Sequence, residues 1–242
     1  MKAYEEDLAY IHDVGFSDFA RNAAPGLLGI LRQNGIKDGL VVDLGCGSGI
    51  WAGELLRAGY EVLGIDFSAA MLKIARRRAP AGKFKRASFV SVELPPCHAV
   101  TSLGECLNYL FDKRNSRHEL ARLFRKIYAA LAPDGLFIFD LLEPGYVEGP
   151  VPQTRFMEGR EWVTIVQIEK TNDPMQVRRH ITAFRRIGNT YRNSEEIHSL
   201  KLYKRSQVGI GLRNAGFKVQ YLRGYGSLSF NKAHAGFLAR KP

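Results

Sequence analysis

The run LVVDLGCGSG, residues 40–49, constrains this chain more than any other stretch. A short apolar segment of this kind suits a strand buried on both faces, as in a parallel sheet. Gly45, Gly47 and Gly49 then let the backbone turn sharply and let a ligand approach its peptide groups closely. The spacing predicts a helix over residues 49–58 that stops at Gly59. Strand, glycine turn and helix in that order open an α/β fold.

The same grammar continues. EVLGID, residues 61–66, reads as a second strand, and Ser68 is placed to cap the helix AAMLKIARRR that Pro80 ends. Residues 84–89 supply a short third strand and AVTSL, 99–103, a fourth. From Glu119 to Leu131 the chain is amphipathic, with Leu120, Leu123, Phe124, Ile127 and Leu131 along one side. Pro133-Asp134-Gly135 is turn chemistry, and GLFIFDLL follows as a fifth strand. Ahead of the first strand, residues 17–33 have helical spacing, with Phe19, Ala23, Leu27 and Ile30 near one face.

After Pro144 the pattern changes. Residues 155–170 and 176–187 alternate apolar and polar positions around Thr171-Asn172-Asp173-Pro174, which predicts an antiparallel hairpin. IHSLKLY reads as a third strand of the same small sheet. A helix over 205–215, the strand KVQYLRGY and the closing strand HAGFLARK restore the first pattern. The expected fold is α/β: a doubly wound, mostly parallel, seven-stranded Rossmann-like sheet with an antiparallel β insertion after strand five.

Composition narrows the function classes. Lys and Arg total 35 against 24 Asp and Glu, a formal charge of +11. That balance favours an anionic partner, but the basic residues are dispersed; Arg76-Arg77-Arg78, Lys83 to Arg86, and Arg178-Arg179 with Arg185-Arg186 come nearest to clusters. Specific nucleic-acid binding is therefore not expected. No apolar run is long enough to span a bilayer, and the acidic, interrupted N-terminal stretch lacks the layout of a secretory signal. Cys46, Cys97 and Cys106 are odd in number and form no CxxC pair, which argues against a disulfide framework or a metal site and fits the cytoplasm.

Three details sharpen the reading of the glycine loop. An acid, Asp43, stands two residues before the first glycine, the spacing is GxGxG, and Asp66 ends the second strand where doubly wound folds present a carboxylate to ribose hydroxyls. With IDFS and PDG following in order, these residues resemble the class I S-adenosylmethionine-dependent methyltransferases, small-molecule type, over residues 38–142 and more weakly over the last two strands. The resemblance implies S-adenosyl-L-methionine as cofactor. Asp43, Gly45, Cys46, Gly47 and Gly49 would form the methionine side of its site, and Asp66 would accept the ribose hydroxyls. Phe67 and Met71 would lie beside the adenine, with Ser88 and Phe89 in the third loop and Leu103 after strand four. Read without the family, the glycines make a tight turn, Cys46 is a small packing residue, and Phe67 and Met71 are core positions at helical spacing. Two departures stand out. Ser88 occupies a place where the family often has an acid, and Cys97-His98 replaces a Phe-Asp pair, changes expected to alter packing and leave the fold intact.

The resemblance also makes AYIHDVGFSDFAR a lid over the cofactor, with the aromatic face of Tyr10 toward the sulfonium and Arg21 on the methionine carboxylate. His12 and His118 read as ordinary surface or helix residues. The chain then divides into a helical lid segment (1–37), a cofactor-binding domain (38–149 and 204–242) and a substrate-side insertion (150–203). Methyl transfer is an in-line displacement that needs mostly proximity, and a hydroxyl or ammonium acceptor can also need a base. Tyr109, in the loop after strand four, and His198, on the face of Leu200 and Leu202, are the candidates. His198 has the simpler reading of a strand histidine satisfied by a neighbour. Trp162, Val166, Ile181 or Phe184 are expected to face the cavity while arginines face solvent. No Asn/Asp-Pro-Pro-aromatic motif follows strand four, which argues against amino methylation of DNA. The expected reaction is methyl transfer to nitrogen or oxygen of a small molecule; RNA modification and a catalytically silent cofactor-binding subunit are the alternatives.

Overall fold

The computed structural model describes residues 3–112, 114, 117–149 and 151–242. Residues 1 and 2 of the expected lid, and Pro150 at the expected start of the insertion, lie outside them. Two helices, α1 (Glu6–Gly15) and α2 (Asp18–Gln33), precede the sheet. The α/β units follow as β1 (Leu40–Leu44), α3 (Ile50–Arg57), β2 (Glu61–Asp66), α4 (Ala69–Arg78), β3 (Lys83–Arg86), β4 (Cys97–Ser102), α5 (Arg117–Ala130) and β5 (Leu131–Leu142). Ser68 caps α4 as its sequence position suggests, its Oγ accepting the Met71 N–H at 3.1 Å.

The insertion comprises β6 (Gln153–Gly159), β7 (Trp162–Lys170), β8 (Gln176–Ile187) and β9 (Thr190–Lys201). It is a four-stranded antiparallel meander, where the sequence suggested three strands. Residues 155–170 break into two strands because the chain reverses between Gly159 and Trp162, which pair with each other. Gly188, at φ +61°, makes the two-residue turn that carries β8 into a β9 beginning seven residues before Ile197. The chain ends with α6 (Arg205–Asn214), β10 (Lys218–Leu222), the short ribbon β11 (Gly224–Tyr225) and β12 (Leu228–Ser229), and β13 (His234–Arg240).

The main sheet has seven strands in the order β10-β13-β5-β4-β1-β2-β3. β13 runs antiparallel to both neighbours, and the other pairs are parallel. Alternation along the central strands sorts the core. Val42, Phe137 and Phe139 meet α5 and α6, while Val41, Leu136 and Ile138 meet α2 and α3. Each such side chain contributes roughly 1.5–3 kcal/mol on burial. α2 reaches the β11 ribbon closely enough that a Cβ at Gly26 would overlap the Tyr225 backbone. The Cys97-His98 departure is absorbed locally: Cys97 is buried, and the His98 ring sits over Gly39 with Nδ1 accepting the Leu40 N–H at 3.3 Å.

The insertion is tied to the sheet by Asn108, which is fully buried after β4. Its side-chain amide donates to the carbonyls of Leu142 and Lys201 (3.0 and 2.6 Å) and accepts the Leu142 N–H at 3.0 Å. Register sets the insertion's faces. Arg155, Val166, Ile181 and Glu196 lie side by side, as do Met157, Thr164, Ala183 and Ser194. Trp162, Val166 and Ile181 point inward as expected. Phe184 does not, because it pairs with Val163 on the opposite face. Arg178 and Arg186 face solvent as expected, but Arg179 and Arg185 are largely buried on the inner face, which Arg155 and Arg192 share by register while staying exposed.

Candidate active site

At the carboxyl ends of the strands, between α1 and the inner face of the insertion, lies a cavity of about 660 Å³. Its sheet-side wall is the glycine loop. Gly45 and Cys46 both donate to the Ile65 carbonyl (2.7 and 3.1 Å), which hangs the loop from the end of β2. Gly45, Gly47 and Gly49 have φ of +75°, +51° and +76°. A Cβ on Gly47 would meet nothing within 4 Å, so the loop leaves open room on the cavity side. Gly49 instead lets α3 approach α4, since an added Cβ would lie 2.9 Å from the Ala75 Cβ.

Two carboxylates flank the loop. Asp66 accepts the N–H groups of Gly47 (2.9 Å) and Ser68 (2.8 Å), and burial still holds its pKa above the usual range. Asp43 is more secluded: Oδ1 accepts the Thr101 hydroxyl at 2.8 Å, whose oxygen in turn accepts the Trp51 indole N–H at 3.1 Å. Burial outweighs that bond and pushes Asp43 up to about 7. Phe67, Met71, Ser88, Phe89 and Leu103 complete this wall. Cys46 also lines it, and burial raises its thiol pKa strongly, so it stays an unreactive packing residue.

The N-terminal segment closes the cavity, with Tyr4, Leu8, His12 and Phe16 facing in. Asp13 binds the Arg78 guanidinium through both oxygens (2.6 and 3.0 Å), and Arg78 also reaches the Ser48 carbonyl and hydroxyl (2.6 and 2.9 Å). At the other end, buried Glu196 accepts the N–H groups of Tyr4 and Glu5 (2.8 and 2.7 Å). Tyr10 and Arg21 are not part of this wall. Tyr10 lies 3.6 Å from the Arg185 guanidinium, a cation–π contact with the insertion, and Arg21 is exposed on α2 beside a separate shallow hollow. Both expected contacts are thereby corrected: the helical turn that brings Leu8 and His12 inward carries Tyr10 outward.

The insertion-side wall holds Tyr109 but not His198. His198 is fully buried behind the rings of Tyr4, Tyr109 and Phe111 (centroids 4.8, 5.7 and 4.8 Å), with Nε2 on Glu196 at 2.7 Å. It therefore holds the carboxylate that clamps the strap, and does not face an acceptor. Tyr109 exchanges a hydrogen bond with the Tyr4 hydroxyl (3.0 Å) and accepts one from Arg179 (3.1 Å); burial raises its pKa, so it stays a neutral phenol. Arg179 also pairs with Glu105 (2.7 Å) and donates to the Tyr146 hydroxyl (2.7 Å).

Several residues on or behind the wall escaped the sequence reading. His12 is the helix residue it was read as, but it also lines the cavity, where burial lowers its pKa to about 4. Its position one turn after Leu8 was the available signal. Asp140, an acid inside the apolar run of β5, is fully buried and accepts the N–H groups of Gly104 and Glu105 (2.9 and 2.7 Å), the Tyr225 hydroxyl (3.1 Å) and His234 Nε2 (2.7 Å). It holds Glu105 in a left-handed conformation, φ +56°, at the cavity's edge. Burial works against charge on His234, but the Asp140 bond wins and raises its pKa.

Residues 41–135 match the family model of a methyltransferase domain, spanning the glycine loop through the turn before the apolar run of β5. The chain is a class I S-adenosylmethionine-dependent methyltransferase. This methyltransferase is 24% identical over 233 residues to a Streptomyces fradiae dTDP-3-amino-3,6-dideoxy-alpha-D-glucopyranose N,N-dimethyltransferase, covering 91% of this chain and 88% of that one. In fold it is similar to an S-adenosylmethionine-dependent methyltransferase from Clostridium acetobutylicum (TM-score 0.81, 19% identity, 96% and 97% of the two chains). It is also similar to an amino pentose methyltransferase from Micromonospora echinaspora solved with S-adenosylmethionine bound (TM-score 0.78, 17% identity, full coverage of both). No helix among the methyltransferase's described residues is long and apolar enough to cross a membrane.

The sheet-side wall fits this cofactor. Open space over Gly47 and two buried carboxylates with raised pKa values suit a ligand bearing hydroxyls and positive charge. When bound, it supplies an electrophilic methyl group on a sulfonium.

Proposed function

We propose that the enzyme methylates nitrogen or oxygen of a small molecule enclosed between the glycine-loop wall and the insertion. The carrying observation is that one cavity is lined by both: Asp43, Gly45 and Asp66 on one side, and Met157, Val166, Ile168 and Ile181 on the other. A largely apolar cavity of about 660 Å³ suits a small acceptor, whose binding would displace water from the transfer. The amino-sugar and amino pentose methyltransferases among its relatives support the same reading.

In this reading Asp43, Gly45 and Gly47 hold the methionine side of the cofactor and Asp66 its ribose. Phe67, Met71, Ser88 and Phe89 bound the adenine, and Leu103 lies between cofactor and acceptor. Glu105 and Tyr109 flank the acceptor. Tyr109 orients it as a phenol and removes no proton, while His12, neutral near pH 7, and the Glu105 carboxylate are the groups placed to receive one. The remaining work is positioning, as an in-line displacement requires.

The test is S-adenosylhomocysteine formation with a panel of small amines and hydroxy compounds beside an RNA transcript. Turnover confined to small molecules supports the proposal. Turnover confined to RNA replaces it with RNA modification, which the charge of +11 favours. Tight cofactor binding with no turnover on either would point to a silent subunit.

A further inference from the structure

The two walls of the cavity differ in charge. On the glycine-loop side the charged groups are the carboxylates Asp43, Asp66 and Asp112, the last paired with Arg114 at 2.6 Å. On the insertion side two guanidiniums, Arg155 and Arg179, converge on one ring, with Cζ 5.7 and 5.2 Å from the Tyr146 centroid. Only one carboxylate serves the pair. Glu105 bonds Arg179, and Arg155 has no carboxylate partner among the described residues. Lys232, also on the wall, is neutralised by Glu148 at 2.8 Å. Like charges sharing one counter-charge repel, and a second anion relieves them.

A lone arginine on an edge strand is ordinarily a solvated surface residue. Arg155 is solvent-exposed as well, but it stands on the cavity side: its register neighbours, Val166 and Ile181, are themselves cavity wall, so its face of β6 is the inner one. A second group on that wall also lacks a partner. Thr164 is 1% exposed, lines the cavity, and its Oγ1 has no hydrogen-bond partner among the described residues. A buried hydroxyl left unpaired is unfavourable, and a bound polar group would relieve it.

We propose that the methyl acceptor carries an anionic group, carboxylate or phosphate, that Arg155 binds, with an apolar body against Val166 and Ile181 and a polar atom at Thr164. The inference rests on the small-molecule reading above and adds the acceptor's class. Arg155 offers forked donors suited to either anion, and the Tyr146 face helps fix the guanidinium plane.

The probes are inorganic phosphate and citrate, titrated separately by calorimetry into protein saturated with S-adenosylhomocysteine. We expect saturable binding of at least one, and which one distinguishes phosphate from carboxylate. Arg155→Ala should weaken it by at least about tenfold, as loss of a charge-assisted pair does, with S-adenosylhomocysteine affinity unchanged. Arg155→Lys should retain part of it. No saturable binding of either probe, or equal binding by Arg155→Ala, overturns the proposal. So does an equal loss of S-adenosylhomocysteine affinity in Arg155→Ala, because the anion would then be the cofactor's own carboxylate. Paired acceptors differing only as carboxylate and carboxamide separate the two levels. Turnover of the carboxamides alone overturns the anionic class and leaves the small-molecule reading standing. Methylation of an RNA transcript and of no panel member overturns both.

Discussion

Asp43 and Asp66 stand on the same wall yet are solvated differently, and this separates their expected behaviour. Asp66 is placed to accept two ribose hydroxyls while already holding the Gly47 and Ser68 N–H groups. Asp66→Ala is expected to weaken S-adenosylhomocysteine binding by about 1.5–3 kcal/mol, read by calorimetry, with Asp66→Asn losing less. Asp43, held near 7, makes affinity depend on pH. A cationic ligand favours its ionised form, so affinity should rise with pH and level off above about 7. Stability of the free protein moves the other way. The native state keeps the Asp43 proton that the unfolded chain releases near pH 4, so this contribution is full below that point and is lost as pH rises to about 7. Asp43→Asn should flatten both profiles. His198→Ala gives a third contrast. A residue that steadies Glu196 should raise the KM for S-adenosylmethionine and lower Tm while leaving the shape of the kcat–pH profile intact; a changed profile with unchanged affinity would restore it as a base.

At the scale of elements, α1 is the wall that joins the glycine loop to the insertion. It is fastened to the glycine loop through Asp13, Arg78 and Ser48, and to the insertion through Asp7, which pairs with Arg185 and Arg192. A Cβ at Gly15 would overlap the Trp162 indole, so α1 and β7 meet with no spare volume. Gly15→Ala is expected to cost about 1–3 kcal/mol by overpacking, seen as a lower Tm and a shifted tryptophan emission. Arg78→Ala should speed amide exchange across residues 5–16 and weaken the cofactor, because Leu8, His12 and Phe16 are wall residues. Unchanged exchange would mean that the helix is held by packing alone.

For the whole molecule, many basic residues are neutralised locally, as in Arg122–Glu119, Arg205–Glu143 and Arg240–Asp134, and the excess that makes the charge +11 is dispersed along the chain. Dispersed cations of this kind should bind RNA weakly, with affinity collapsing as salt rises through the physiological range. A submicromolar complex with a defined RNA at about 150 mM salt would contradict this and make the basic excess functional.

The order of strands, the glycine turn and the Ser68 cap were legible in the sequence because each depends on local periodicity and backbone chemistry. Asp43 and Asp66 were legible for the same reason: a residue at the end of a parallel strand is placed by its own strand. What lies opposite them was not. Phe184, Arg179 and Arg185 face where they do because of the turn at 171–175 that starts β8, and Arg192 because of the turn at 188–189 that starts β9; each turn sets the register and facing of its strand. Tyr10 and His12 sit two residues apart, and only the docking of α1 decides which of them meets the cavity. His198 reads as a buried strand histidine, but that Tyr4 and Phe111 stand before it depends on segments distant in sequence. The cofactor wall is built by consecutive strand ends and is readable one strand at a time. The acceptor wall is built by long-range packing, and only the tertiary structure decides it.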